Sequence, residues 1–138
     1  SMTEPEAHRY MQKRSMDKRE LELRTKTFAI RVIKFVSNLP KSRVTNVLGF
    51  QLLKAGTSIG ANYREANRAE SKNDFIHKIG IVSKEATETM YWLELFKETD
   101  VSKSKELEWL YNESNELLAI FTSIGKTLKY SPTILEIE

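Results

Sequence analysis

No cysteine occurs in the 138 residues, which excludes disulfides and thiolate metal sites and suits a reducing compartment. Proline appears three times and glycine five times, too seldom for a chain of short strands and turns, and in keeping with long helices. The two histidines, His8 and His77, leave little material for imidazole chemistry. No apolar run approaches the roughly 18 residues of a membrane span, and the N-terminus lacks an apolar signal region. A cytoplasmic protein without membrane association is therefore expected. Acids are nearly missing from one stretch: residues 24–68 hold nine Lys/Arg and the single acid Glu65, whereas residues 69–138 hold eight Lys/Arg and thirteen Asp/Glu. The formal net charge of +3 conceals this division. It points to an anionic partner, or to a second copy whose acidic half meets this basic one.

What is present is helical periodicity. With 40% hydrophobic and 30% charged residues, the chain is long enough for one domain with a single core. Residues 1–19, with Pro5 and mixed charges, read as a flexible N-terminal arm, residues 20–130 as the folded domain, and residues 131–138, which include Pro132, as a C-terminal tail. The first helix is expected from about Glu20 to Leu39. Leu21, Phe28, Val32, Phe35 and Leu39 form one buried row, Ala29, Ile33 and Val36 a second, and Arg24, Arg31 and Lys34 face solvent. Pro40 ends it, and Ser42 is the N-cap of a second helix to about Ala69. In that helix Val44, Leu48, Leu52, Ala55, Ile59, Tyr63 and Ala66 form the core stripe, opposite a basic stripe of Lys54, Arg64 and Arg68.

Gly56 and Gly60 sit inside this second pattern, each costing about 1 kcal/mol relative to alanine. They either break the helix or let another backbone approach closely; the stripe that continues through them favours one continuous helix. Gln51, Ser58 and Asn62 border the buried sector, where the expected partners of the polar groups are helix backbones. Ser71 and Asp74 have capping-box spacing and start a third helix, with Phe75, Ile79, Val82, Ala86, Met90 and Leu93 as its core. Tyr91, Trp92 and Leu95 add apolar surface beyond one stripe, which is either an oligomer interface or a wide internal face. Asp100 or Ser102 is expected to cap the fourth helix, whose Leu107, Leu110, Ser114, Leu117, Phe121, Ile124 and Leu128 follow bundle spacing. The fold expected is an all-α, antiparallel, up-down-up-down four-helix bundle.

Catalytic constellations are not evident. Asp74 lies three residues before His77, but a carboxylate-bundle metal site needs two such motifs. Gly56 to Gly60 lies inside a helix and lacks the lysine and hydroxyl of a P-loop. No enzyme activity, metal or cofactor is therefore expected.

The run Gln51-Leu-Leu-Lys-Ala-Gly56-Thr-Ser58-Ile-Gly60-Ala-Asn62 with Glu65-Ala66, then Ser71-Lys-Asn-Asp-Phe75, then Lys84-Glu85-Ala86, Glu88 and Tyr91-Trp92-Leu93, resembles a family known simply as four helix bundle proteins. It includes proteins encoded in intervening sequences of large-subunit ribosomal RNA genes and is related to the accessory protein of diversity-generating retroelements. The resemblance covers roughly residues 21–130. It implies a homopentamer, association with structured RNA and, by analogy, assistance to a reverse transcriptase.

From the residues, the expected function is a non-enzymatic, oligomeric nucleic-acid-binding or adaptor protein. RNA or DNA phosphates would meet Arg31, Lys34, Lys41, Arg43, Lys54, Arg64 and Arg68. The alternative is a purely structural oligomer or protein adaptor, in which Arg64 and Arg68 pair with a neighbour's acids. A third reading, a ligand site at Ser58 and Asn62, requires a cavity beside the two glycines.

Overall fold

Pro40 interrupts the first apolar pattern, and the chain reverses there. The computed structural model describes residues 4–99, 101–102 and 104–130, with side chains between 18 and 129 inside those ranges. It has four helices: α1 (Glu4–Ser37), α2 (Arg43–Ala66), α3 (Lys72–Thr99) and α4 (Lys105–Tyr130). Consecutive helices pack against one another and α4 returns to α1, closing the antiparallel up-down-up-down bundle that the periodicity predicts. α1 is continuous from Glu4, well before the expected start at Glu20. The expected tail, residues 131–138, lies outside the described residues, as does Asp100.

Local chemistry fixes the helix starts. Ser42 Oγ accepts from Thr45 N at 3.1 Å while Thr45 Oγ1 accepts from Ser42 N at 3.0 Å, a reciprocal box with threonine in the place of glutamate. Thr45 also donates to the Pro40 carbonyl, which ties the cap to the turn. Ser71 Oγ accepts from Asp74 N at 3.1 Å at the start of α3, as expected. At the start of α4 the acceptor is Ser104, from Leu107 N at 3.1 Å, and not Ser102. Its position three residues before Leu107 suits an N-cap, whereas Ser102 lies too far ahead of Lys105.

The core is built from diagonal as well as neighbouring contacts. Tyr63 of α2 meets Phe121 of α4 edge-on at 5.1 Å, and Phe35 of α1 meets Phe96 of α3 at 5.4 Å. All four rings are buried. Two positions expected in the core lie outside it: Ile33 is 45% exposed and Val44 52% exposed. Helical periodicity marks an apolar arc wider than the neighbours cover; Ile33 falls at the rim of α1, and Val44 in the first turn of α2 at the end of the bundle.

Gly56 and Gly60 lie within an unbroken α2, and α1 supplies the reason for both. A Cβ at Gly56 would stand 3.0 Å from Val32 Cγ2, and one at Gly60 would stand 3.2 Å from Thr25 Oγ1 and 3.4 Å from the Thr25 backbone carbon. The two helices approach where side chains are missing, and the space beside the glycines is filled.

The α1–α4 seam is the thinnest of the four, and long side chains bridge it. Arg24 Nε donates to Glu113 Oε2 at 2.7 Å, and its Nη2 to Glu113 Oε1 at 2.8 Å and Glu116 Oε1 at 3.1 Å. Arg31 Nε and Nη2 donate to Glu106 at 2.8 and 2.9 Å, and its guanidinium lies 3.5 Å from the Trp109 ring centre. The Glu106 carboxyl is held below its ordinary pKa, first by the hydrogen bonds from Arg31, against the opposing effect of desolvation. A carboxyl depressed in the folded state stabilises above its unfolded value, about 4.3, and loses that contribution as pH falls through the lower folded value. The difference in melting temperature between wild type and Arg31→Met should therefore be constant from neutral pH to about pH 5 and shrink below about pH 4. A difference that stayed constant down to about pH 3 would show that the clamp does not stabilise through Glu106.

Candidate nucleic-acid interface

The structure separates the seven cations assigned to phosphate binding. Arg31, expected to face solvent, is committed to Glu106 and Trp109; Arg24 on the same face is committed to α4 as well. Part of the charge division seen in the sequence is thus satisfied inside one chain, basic α1 against acidic α4. Lys34, Lys41, Arg43, Lys54 and Arg68 are exposed and have no ion-pair partner among the described residues. Arg64 is exposed and stands 3.9 Å from Glu22.

These six do not form one patch. At a rise of about 1.5 Å per residue, Arg43 and Arg64 lie roughly 32 Å apart along α2. Lys34, Lys41 and Arg43 flank the α1–α2 turn, Lys54 stands midway, and Arg64 and Arg68 mark the far end. There the antiparallel hairpin brings in Lys18 of α1, and a shallow notch of about 270 Å³ is lined by Lys18, Glu22, Arg64, Asn67 and Arg68. Glu22 accepts from Asn67 Nδ2 at 2.7 Å, and Lys18 Nζ donates to the Asn67 carbonyl at 3.5 Å. Three cations therefore line one notch in which Glu22 is the single carboxylate, and that carboxylate already accepts an amide hydrogen bond. The C-terminus of α2 favours cations at this end through its exposed carbonyls and dipole. It does not need three of them. The surplus is available to an oxyanion, and because the donors are long and charged, they suit a phosphate diester without reading a base.

Glu22 and Asn67 were not singled out in the sequence, and Lys18 fell in the N-terminal arm, whose interspersed acids argued against a phosphate role.

The other residues singled out in the sequence hold the scaffold. Asn62 Nδ2 donates to the Ser58 carbonyl at 2.8 Å, and Ser58 Oγ to the Lys54 carbonyl at 2.6 Å, so both bond to their own helix as expected. Gln51 is half-buried and Glu65 exposed. With Val32 and Thr25 filling the space beside the glycines, the cavity that a small-molecule site would need there is missing. His77 is exposed, and Asp74 pairs with Lys78 at 3.4 Å. Tyr91 is 53% exposed, 5.1 Å from the Trp92 ring. Trp92 is half-buried and packs on the core, as Leu95 is half-buried beside it, and the Trp92 Nε1–H has no acceptor among the described residues.

The family model of the 23S rRNA-intervening sequence protein matches residues 19–123. The chain belongs to this family. A solved structure from Bacteroides thetaiotaomicron, described as a protein with unknown function from the S23 ribosomal protein family, is 40% identical. The alignment covers 78% of this chain and 99% of that one, with a TM-score of 0.72. No match is found among curated proteins. The matched region takes in α2 entire, with Arg64 and Arg68, and begins one residue after Lys18. No helix among the described residues is long and apolar enough to cross a membrane.

Proposed function

We propose that this chain is a non-enzymatic, self-associating nucleic-acid-binding protein of the cytoplasm that holds phosphodiester backbones at the Arg64–Arg68 end of α2. The observation that carries the reading is the gathering of Lys18, Arg64 and Arg68 in one notch whose single carboxylate is Glu22. The family's association, by name, with ribosomal RNA favours RNA as the polyanion. Contacts of this kind are electrostatic and largely independent of sequence, and repetition in an assembly, of five copies by the family resemblance, multiplies a modest site into useful avidity. Assistance to a reverse transcriptase is the extension that the same resemblance offers.

The exposed apolar residues of α1 and α2 favour a second reading, an adaptor that binds protein alone. Binding of a labelled RNA hairpin and a duplex DNA, compared for wild type and the triple variant Lys18→Glu, Arg64→Glu, Arg68→Glu, separates the two. The nucleic-acid reading requires wild-type binding that the triple variant loses. Equal binding by both proteins would remove the site, and no binding by either at low salt would leave the adaptor.

A further inference from the structure

The bundle leaves a second kind of surface unexplained. Phe50 is 61% exposed, and Ile30, Ile33 and Val47 are exposed with it on the outer side of the α1–α2 hairpin. Large apolar side chains gathered on one face mark a contact surface rather than scattered exposure. The same face carries Lys26, Lys34, Arg43 and Lys54, all exposed, while Glu65 is the single acid between residues 24 and 68. Two such faces cannot meet each other without setting cation against cation. An isologous pairing is disfavoured for that reason.

One other face of the chain has the complementary character. On the second half of α3, Tyr91 is exposed between the exposed acids Glu88 and Glu98, which outnumber the exposed cation on that side, Lys84, while Lys97 is turned to α4, where it lies 3.6 Å from Glu108 and 3.9 Å from the Tyr111 ring centre. Gly80 adds an independent observation. It is exposed in the middle of α3, and a Cβ built on it would meet nothing within 4 Å. Within one chain nothing requires a glycine there, although it costs about 1 kcal/mol of helix propensity. The two glycines of α2 show what such a residue does in this fold: it admits a neighbouring helix. At about 100° per residue Gly80 and Tyr91 share one side of α3, roughly 16 Å apart along it.

We propose that the outer face of the α1–α2 hairpin docks on the outer face of α3 of a second copy, head to tail, with Phe50 and Val47 against the Tyr91 side and a helix of the neighbour passing over Gly80. This rests on the self-association included in the function above and names the two surfaces that meet. A heterologous contact of this sort repeats, closing into a ring when the rotation allows. The basic notch at the far end of α2 is left outside the contact.

Light-scattering mass and thermal unfolding test this on the full chain, with circular dichroism to confirm helicity. Wild type should exceed the 16.0 kDa chain mass. The hairpin variant Val47→Glu, Phe50→Glu and the α3 variant Tyr91→Glu, all at exposed positions, should each be monomeric and helical. Mixed in equal amounts they should recover a species of twice the chain mass, because each retains one intact face. Gly80→Ala should melt higher than its parent in the monomeric hairpin background, yet weaken assembly about tenfold or more in the wild-type background. A monomeric wild type, an unchanged mass in either charge variant, a mixture that stays monomeric, or Gly80→Ala strengthening assembly would each overturn the proposal. RNA binding measured on the monomeric variants keeps the phosphate site separate, since the notch residues are unchanged in them.

Discussion

Gly56→Leu should destabilise the protein by roughly 3 kcal/mol, at the upper end of the usual cost of overpacking. Even the first added carbon of the new side chain would stand 3.0 Å from Val32 Cγ2 and 3.2 Å from its Cγ1. Val32 is fully buried and β-branched, so it has no alternative rotamer within a helix to relieve the contact. α1 and α2 would have to separate, uncovering Leu52 and Phe28 on either side. Leucine's better helix propensity, worth about 1 kcal/mol against glycine, offsets only part of this. Chemical denaturation of Gly56→Leu measures the loss, and Gly56→Leu with Val32→Ala should recover a substantial share of it. If the single variant were as stable as wild type, the close approach of α1 and α2 would not be a constraint on the fold.

Charge reversal at the notch should lower RNA affinity by about two orders of magnitude at low salt, and reduce the slope of log affinity against log salt by about 2 to 3, a little under one for each cation withdrawn from the phosphates. Lys18 on α1, Arg64 in the last turn of α2 and Arg68 just beyond it line one notch, and their replacement by glutamate leaves Glu22 among like charges, so local repulsion adds to the missing attraction. Fluorescence anisotropy with a labelled hairpin measures both quantities. Arg31→Met is the matched control. Arg31 sits in the same basic stretch, but its guanidinium is spent on Glu106 and Trp109. Its replacement should leave RNA affinity within about twofold, well inside the roughly 1.4 kcal/mol of a tenfold change, at temperatures where the variant is folded. A large effect from Arg31 with none from the notch would invert the assignment.

The helix pattern, the Pro40 turn and the Ser42 and Ser71 caps were legible because each depends on residues within one turn of chain. The close-packing role of Gly56 and Gly60 was legible for a different reason: two costly residues in a strong helix pattern require compensation from elsewhere. What escaped depends on register between distant segments. Arg24 and Arg31 read as solvent-facing by their angle from the core, and only the arrival of Glu113 and Glu106 on α4 turns them into clamps. Ile33 and Val44 fall within an apolar arc whose outer edge no neighbour covers, and periodicity does not say which part of an arc is covered. The notch was missed because it needs Lys18, in a segment read as a loose arm, set beside the last turn of α2. Of the interface named from the sequence, Tyr91 stands out in the structure, while the exposed apolar face on α1 and α2 went unnamed, although of its residues only Ile33 falls in a stripe assigned to the core.

The surplus of positive charge at one end of α2 either serves phosphate or it does not. Affinity of the wild-type protein for a generic labelled RNA, taken across a series from about 50 to 200 mM salt, measures this most directly. The expected result is a linear fall of log affinity with log salt whose slope corresponds to about three phosphate contacts per site, at roughly 0.7–0.9 per contact. Absence of binding at the lowest salt, or binding that salt does not weaken, would contradict it.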